Sequence, residues 1–178
     1  ILGVVEPACR RAVAATRNRR VGLIATAASV RSGAYERTIA AMDGAVTVLA
    51  KACPLFVPLV ENGRYRRGDS VIETVAREYL TPLKEAGIDT LIMGCTHYPL
   101  LEEVVGEIMG PDVTLVDSGA QAARQLKESL AEHGMLCGER QGKIAMYASD
   151  ITGDFGALAP QFLREPVPRV LEVDIDKY

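Results

Sequence analysis

The residue order predicts an α/β protein built on a mostly parallel sheet covered on both faces. Two observations carry this. Short apolar runs without alternation, VGLIA at Val21 to Ala25 and TLIM at Thr90 to Met93, have strand length and suit strands buried on both faces. Between such runs stand segments of helical period closed by glycine or polar residues. The rhythm is therefore strand, loop, helix, repeated.

The elements follow in order. Ile1 to Val5 reads as a short strand or the end of one. Pro7 is placed to open a helix, and Ala8 to Thr16 is Ala-rich and helical. Val21 to Ala25 is a strand, Thr26 to Ser29 a small-residue loop, and Tyr35 to Met42 a helix with Gly44 beyond it. Val46 to Ala50 is a strand. Cys53 to Val60, punctuated by Pro54 and Pro58, reads as extended, and Glu61-Asn62-Gly63 as a turn. Val71 to Glu85 has a helical period, with Val71, Ile72, Val75, Tyr79, Leu80 and Leu83 on one side. Thr90 to Met93 is a strand, Gly94 to Tyr98 a loop, and Pro99 to Ile108 a helix. Val113 to Val116 is a strand, Asp117 to Gly119 a turn, and Gln121 to His133 a helix. Leu136 to Lys143 is polar and loop-like, Ile144 to Ala148 a strand, Asp154 to Leu163 a helix and Val170 to Val173 a last strand. A domain boundary is expected near Asp117 to Gly119, with a second possible break near Leu136 to Gly142.

Composition narrows the function. The chain of 178 residues is 48% hydrophobic and 24% charged, which is globular rather than disordered. A net charge of −3 gives no strong field for nucleic acid or an anionic membrane. No apolar run approaches the roughly 20 residues that span a bilayer, so no membrane partner is expected. The chain starts at Ile1, which suggests residues upstream. Cys9, Cys53, Cys95 and Cys137 form no C-x-x-C pair, so a zinc site or redox pair is not expected, and free thiols in a reducing cytoplasm are. The five methionines read as packing. No P-loop, dinucleotide fingerprint or G-x-S-x-G is present.

In parallel sheets, ligands bind where loops leave the carboxyl ends of strands. That directs attention to Thr26 to Gly33, Glu61 to Gly68 and Gly94 to Tyr98. The last, opening Gly94-Cys95-Thr96-His97-Tyr98-Pro99, is the most informative. Gly94 is expected to allow a tight turn that presents Cys95. A following helix N-terminus would ease ionisation of the thiol and bind a substrate carboxylate. Thr96 adds a hydroxyl and His97 a proton-transfer partner, so nucleophilic or acid–base chemistry fits. A cysteine packed as a small hydrophobe beside a satisfied histidine fits the same residues. Glu61 is a carboxylate at another strand end; it could orient a histidine or an ammonium group, or be a solvated turn residue. Cys9 and Cys53 read as core packing and Cys137 as an exposed bystander. Tyr65 to Asp69 reads as a solvated loop.

LIMGCTHYPLL (Leu91 to Leu101) resembles the second catalytic-cysteine motif of the glutamate racemases. LGVVEPA (Leu2 to Ala8), VGLIAT (Val21 to Thr26), RSGAYERTI (Arg31 to Ile39), ACPLFVPLVENG (Ala52 to Gly63), LVDSG (Leu115 to Gly119) and MYASDITGDFGALAPQFL (Met146 to Leu163) agree with it in order. The resemblance implies a cytoplasmic isomerase without a cofactor, interconverting L- and D-glutamate with two thiols to supply peptidoglycan synthesis. It implies that Cys95 is one catalytic thiol, that His97 and Glu61 are catalytic helpers, and that Thr96 and His97 contact the substrate. A homodimer is a further implied possibility.

The resemblance also implies two similar α/β domains of the aspartate/glutamate racemase type. Residues 1–117 would form the complete second domain, and 118–178 a segment completing the first. The family's other cysteine lies in a Cys-Asn-Thr motif found nowhere in this chain. The expectation is thus a C-terminal portion lacking the N-terminal part. Two alternatives stay open: a non-catalytic fragment that only folds and associates, and a related aspartate or hydantoin racemase. Apolar side chains after Ser118, namely Leu126, Leu130, Phe155, Leu158 and Phe162, are expected to be exposed.

Overall fold

The computed structural model describes residues 1–138, 145–150, 159–160, 162–163 and 170–177. The chain forms two compact units, Ile1–Met135 and Leu136–Tyr178. The helix that begins at Ser118 belongs by its contacts to the first unit.

In the first unit the elements run α1 (Val5–Ala15), β1 (Arg20–Ala25), α2 (Ala27–Ser32), α3 (Ala34–Met42), β2 (Thr47–Ala52), α4 (Phe56–Glu61), α5 (Ser70–Glu85) and β3 (Thr90–Met93). A 3₁₀ turn (Tyr98–Leu101), α6 (Glu102–Met109), β4 (Thr114–Asp117) and α7 (Ser118–Glu132) follow. The four strands pair in parallel in the order β2-β1-β3-β4. Successive side chains of a strand point to opposite faces, and the core divides accordingly. Ile24, Leu91 and Met93 join the cluster of Phe56, Ile72, Leu80 and Leu101 on one face. Val21, Leu23, Ala25, Ile92 and Val116 join Ala8, Ala12, Tyr35 and Ile39 on the other. The continuous apolar runs thus reflect burial on both faces.

Three expectations change. Ile1 to Val5 is not a strand: residues 1–3 are irregular, Val5 opens α1, and Ile1, Leu2 and Val4 are exposed. With Pro7 fitting the first turn and Glu6 complementing its free amides, the helix begins earlier than the Ala-rich run suggests. The Thr26 loop is the cap of α2, its hydroxyl accepting from the Ser29 amide. Cys53 to Val60 is not extended throughout: Phe56 to Glu61 is helical. Pro58 sits where a helix needs no N–H donor, and Phe56 and Val60, four residues apart, are both fully buried. Of the methionines, Met93 and Met109 pack in the core, while Met42 and Met135 are exposed.

In the second unit, β5 (Met146–Ala148) and β6 (Val170–Glu172) pair in parallel, and Ile175–Lys177 forms a 3₁₀ turn. Most of the expected helix at 154–163 lies outside the described residues, as do Phe155 and Leu158. Leu126 and Phe162 are exposed, as expected, and Leu130 is half-buried.

Candidate active site

Cys95 leaves the carboxyl end of β3, beside β1 and β4 at the middle of the sheet. Gly94 N–H donates to the Ile24 carbonyl at 2.8 Å, extending the β1–β3 ladder by one bond. A Cβ on Gly94 would lie 3.0 Å from Leu23 Cδ1, 3.2 Å from the Ile24 oxygen and 3.3 Å from Ala25 Cβ. Close approach to β1, rather than a left-handed turn, is what calls for glycine here. Tyr98 N–H then donates to the Cys95 carbonyl at 3.2 Å and starts the 3₁₀ turn. Tyr98 is fully buried; its hydroxyl donates to the Cys53 carbonyl at 3.1 Å, and its ring meets Phe56 edge-on at 5.3 Å. These contacts fix the loop's far end.

The four predicted site residues come together. Cys95 Sγ lies 4.0 Å from His97 Nδ1, and Thr96 Oγ1 lies 3.3 Å from the same nitrogen. His97 Nε2 meets Glu61 Oε1 at 3.1 Å. A carboxylate can only accept, so Glu61 assigns the proton to Nε2 and leaves Nδ1 of the neutral ring as acceptor, facing the thiol and the Thr96 hydroxyl. Glu61 is the last residue of α4, and the unexpected helix is what aims it across at His97.

The electrostatics correct one expectation. The thiol is not easier to ionise here. Burial pushes the Cys95 thiol above its ordinary value. The His97 N–H, the Thr96 hydroxyl and the Thr96 N–H pull the other way as donors to sulfur, and the Glu61 carboxylate adds to the rise. The residues after Cys95 form a 3₁₀ turn that runs directly into α6, so α-helical amides begin only at Glu102, seven residues beyond the thiol. Such a thiolate is costly to form and correspondingly basic.

The other cysteines differ. Cys9 and Cys53 are fully buried, and burial leads the causes that push both thiols up to about 12. Cys137 is exposed in the second unit. Among the described residues, no group of three or more His, Cys, Asp and Glu side chains is placed to hold a metal ion. Nor is any helix long and apolar enough to cross a membrane.

Sequence reasoning missed Tyr35 and Ser118. Ser118 Oγ donates to the Met93 carbonyl at 3.0 Å, immediately before the Gly94-Cys95 turn, and Tyr35 Oη lies 3.4 Å from Ser118 Oγ. LVDSG is less a turn than the capped start of α7, with Asp117 Oδ1 accepting from the Gly119 and Ala120 amides at 2.8 and 3.2 Å. An aspartate directly after a strand was the available signal for that cap.

A parallel α/β domain with a thiol, an imidazole and a carboxylate in line at its strand ends defines a class of acid–base or nucleophilic sites. Comparison with known proteins makes the class specific. The model of the Asp/Glu/Hydantoin racemase family matches residues 1–126, and the chain belongs to this family. A glutamate racemase of Geobacter metallireducens is 42% identical over 177 residues, covering 99% of this chain and 65% of that protein. The crystal structure of a Francisella tularensis glutamate racemase in complex with D-glutamate superposes with a TM-score of 0.89 at 30% identity, covering 99% of this chain and 65% of that one. A Thermus thermophilus glutamate racemase in complex with β-chloro-D-alanine gives 0.82 at 41% identity, covering 99% and 64%. The chain thus spans just under two thirds of these relatives.

Proposed function

We propose that this chain carries one acid–base half of a glutamate racemase, with Cys95 the thiol for one face of the substrate α-carbon. The observation that carries the reading is the line from Cys95 Sγ through His97 to Glu61, at 4.0 and 3.1 Å, on the strand end that holds the racemase motif.

The Cys95 thiolate takes the α-proton from one enantiomer and becomes a thiol, leaving a carbanion. A thiol on the opposite face then protonates that carbon, inverts it and is left as thiolate. Burial suits the first step, because a thiolate held in a poorly solvated place is a stronger base. An ammonium group on the substrate would favour the thiolate form on binding. His97, oriented by Glu61, receives the thiol proton at Nδ1 before substrate proton transfer begins. Thr96, exposed beside them, offers a hydroxyl to a substrate carboxylate.

Cys9 and Cys53 do not suit the opposite role, being fully buried with thiols held near 12. The second thiol is therefore assigned to a Cys-Asn-Thr segment of the family type. On this reading residues 1–117 supply one whole domain and 118–178 contribute to the other. The substrate is a small amino acid, the place of action the cytoplasm, and the product D-glutamate for the cell wall.

The test is α-proton exchange. The chain is incubated with L-glutamate and, separately, D-glutamate in heavy water and followed by NMR. Deuterium is expected to enter one enantiomer and not the other, and to stop doing so in Cys95→Ala. Exchange that survives Cys95→Ala, or exchange of neither enantiomer, counts against the reading.

A further inference from the structure

Resting on the assignment of Cys95 as the acid–base thiol, we propose that Ser118 and Tyr35 are positioning residues that hold the Cys95 loop in its thiolate-binding geometry. Ser118, at the first turn of α7, is 6% exposed, and Tyr35, on α3, is 4% exposed. The Ser118 hydroxyl has one proton, which goes to the Met93 carbonyl at 3.0 Å. Tyr35 must then be the donor in its 3.4 Å contact with Ser118 Oγ. A buried chain of two hydroxyls thus ends on the last carbonyl of β3.

That carbonyl belongs to the peptide whose amide is the Gly94 N–H, and the same N–H donates to Ile24 of β1. The peptide is therefore gripped from both sides, by α7 through its oxygen and by β1 through its nitrogen. Cys95 is the next residue but one after Met93. Its sulfur stands 4.0 Å from His97 Nδ1 on the loop that this peptide leads into, so turning the peptide would move the thiol against His97. The titratable groups that bear on Cys95 are Glu61 from α4, His97 from its own loop, Tyr98 from the 3₁₀ turn and Tyr35 from α3. Burial raises the Tyr35 hydroxyl above its ordinary value, so it stays a neutral donor through the neutral range.

A purely structural role would change melting temperature and leave the thiol's titration alone. The test is the pH dependence of iodoacetamide alkylation, followed at Cys95 by peptide mass spectrometry. It is run on the wild type, Ser118→Ala, Ser118→Thr and Tyr35→Phe, each checked for folding by circular dichroism. Losing the Ser118 bond should slow alkylation at neutral pH about threefold to tenfold and move its midpoint upward, the scale of one hydrogen bond. Ser118→Thr keeps the hydroxyl and should restore most of the rate. Tyr35→Phe, which removes one oxygen only, should give a smaller shift the same way, and it tests the chain even where Ser118→Ala does not fold. Wild-type rate and midpoint in folded Ser118→Ala and Tyr35→Phe overturn the inference. Alkylation needs no substrate. A shift in midpoint alongside absent glutamate exchange would therefore sink the racemase reading and leave the positioning role standing.

Discussion

The two ends of the four-stranded sheet hold their charged and polar groups on opposite terms. At the N-terminal ends, the Asp89 carboxylate is 8% exposed and every lone pair has work. It accepts from the Thr16 hydroxyl at 2.7 Å, the Arg17 and Asn18 amides at 2.6 and 2.8 Å, and the Thr90 hydroxyl at 3.0 Å. Burial alone would raise this carboxyl, but the donors outweigh it and hold it below the ordinary 3.8. At the C-terminal ends, Cys95 is half-buried, its thiol is raised, and the Glu61 side chain that completes the line is 48% exposed. A satisfied buried charge fixes a loop, whereas an incompletely solvated, raised thiol stores basicity. Stability concentrates at one end and reactivity at the other.

The contrast can be broken most severely at the reactive end. Cys95→Ala is expected to lower α-proton exchange by about 10²–10⁴-fold while leaving unfolding by urea nearly unchanged. Asp89→Asn should do the reverse, costing about 2–4 kcal/mol in urea unfolding with little direct effect on Cys95 alkylation. The pH dependence has a definite sign. A carboxyl lowered in the folded state adds stability that is fully present above 3.8 and lost as pH falls through the lower folded value. The stability gap between wild type and Asp89→Asn should therefore narrow in acid below that point. A gap constant with pH would mean that Asp89 acts by shape and not by charge.

Smaller effects sharpen the boundary between the two ends. His97→Asn keeps a polar group but removes the proton acceptor, and should cost exchange about 10–100-fold. Gly94→Ala forces a methyl against the Ile24 oxygen and Leu23, and should cost about 1–2 kcal/mol in stability. It is expected to perturb both stability and the Cys95 titration. Glu61→Gln should lower exchange only about two- to fivefold, because a half-exposed carboxylate beside an imidazole is well screened.

Much of the frame was legible in the residues. Continuous apolar runs named β1 and β3, and helical period named α5, because burial is imposed locally on each strand and each helix face. GCTHYP named the loop that carries the thiol, since adjacent residues on one turn cannot be far apart. The conformation of residues 56 to 61 was not legible: two prolines suggested extension, and only packing of Phe56 and Val60 into a shared core made a helix.

The sequence by itself determined the α/β class, the Cys95-Thr96-His97 loop at a strand end and the family resemblance, because each is written in neighbouring residues. The tertiary structure alone decided that Glu61 reaches His97 across 36 positions, that Asp89 clamps a loop 71 to 73 positions away, and that Ser118 meets Tyr35 across 83. Period and propensity describe a segment's own faces. Which distant polar groups meet is settled only when the sheet assembles and each buried donor must find an acceptor.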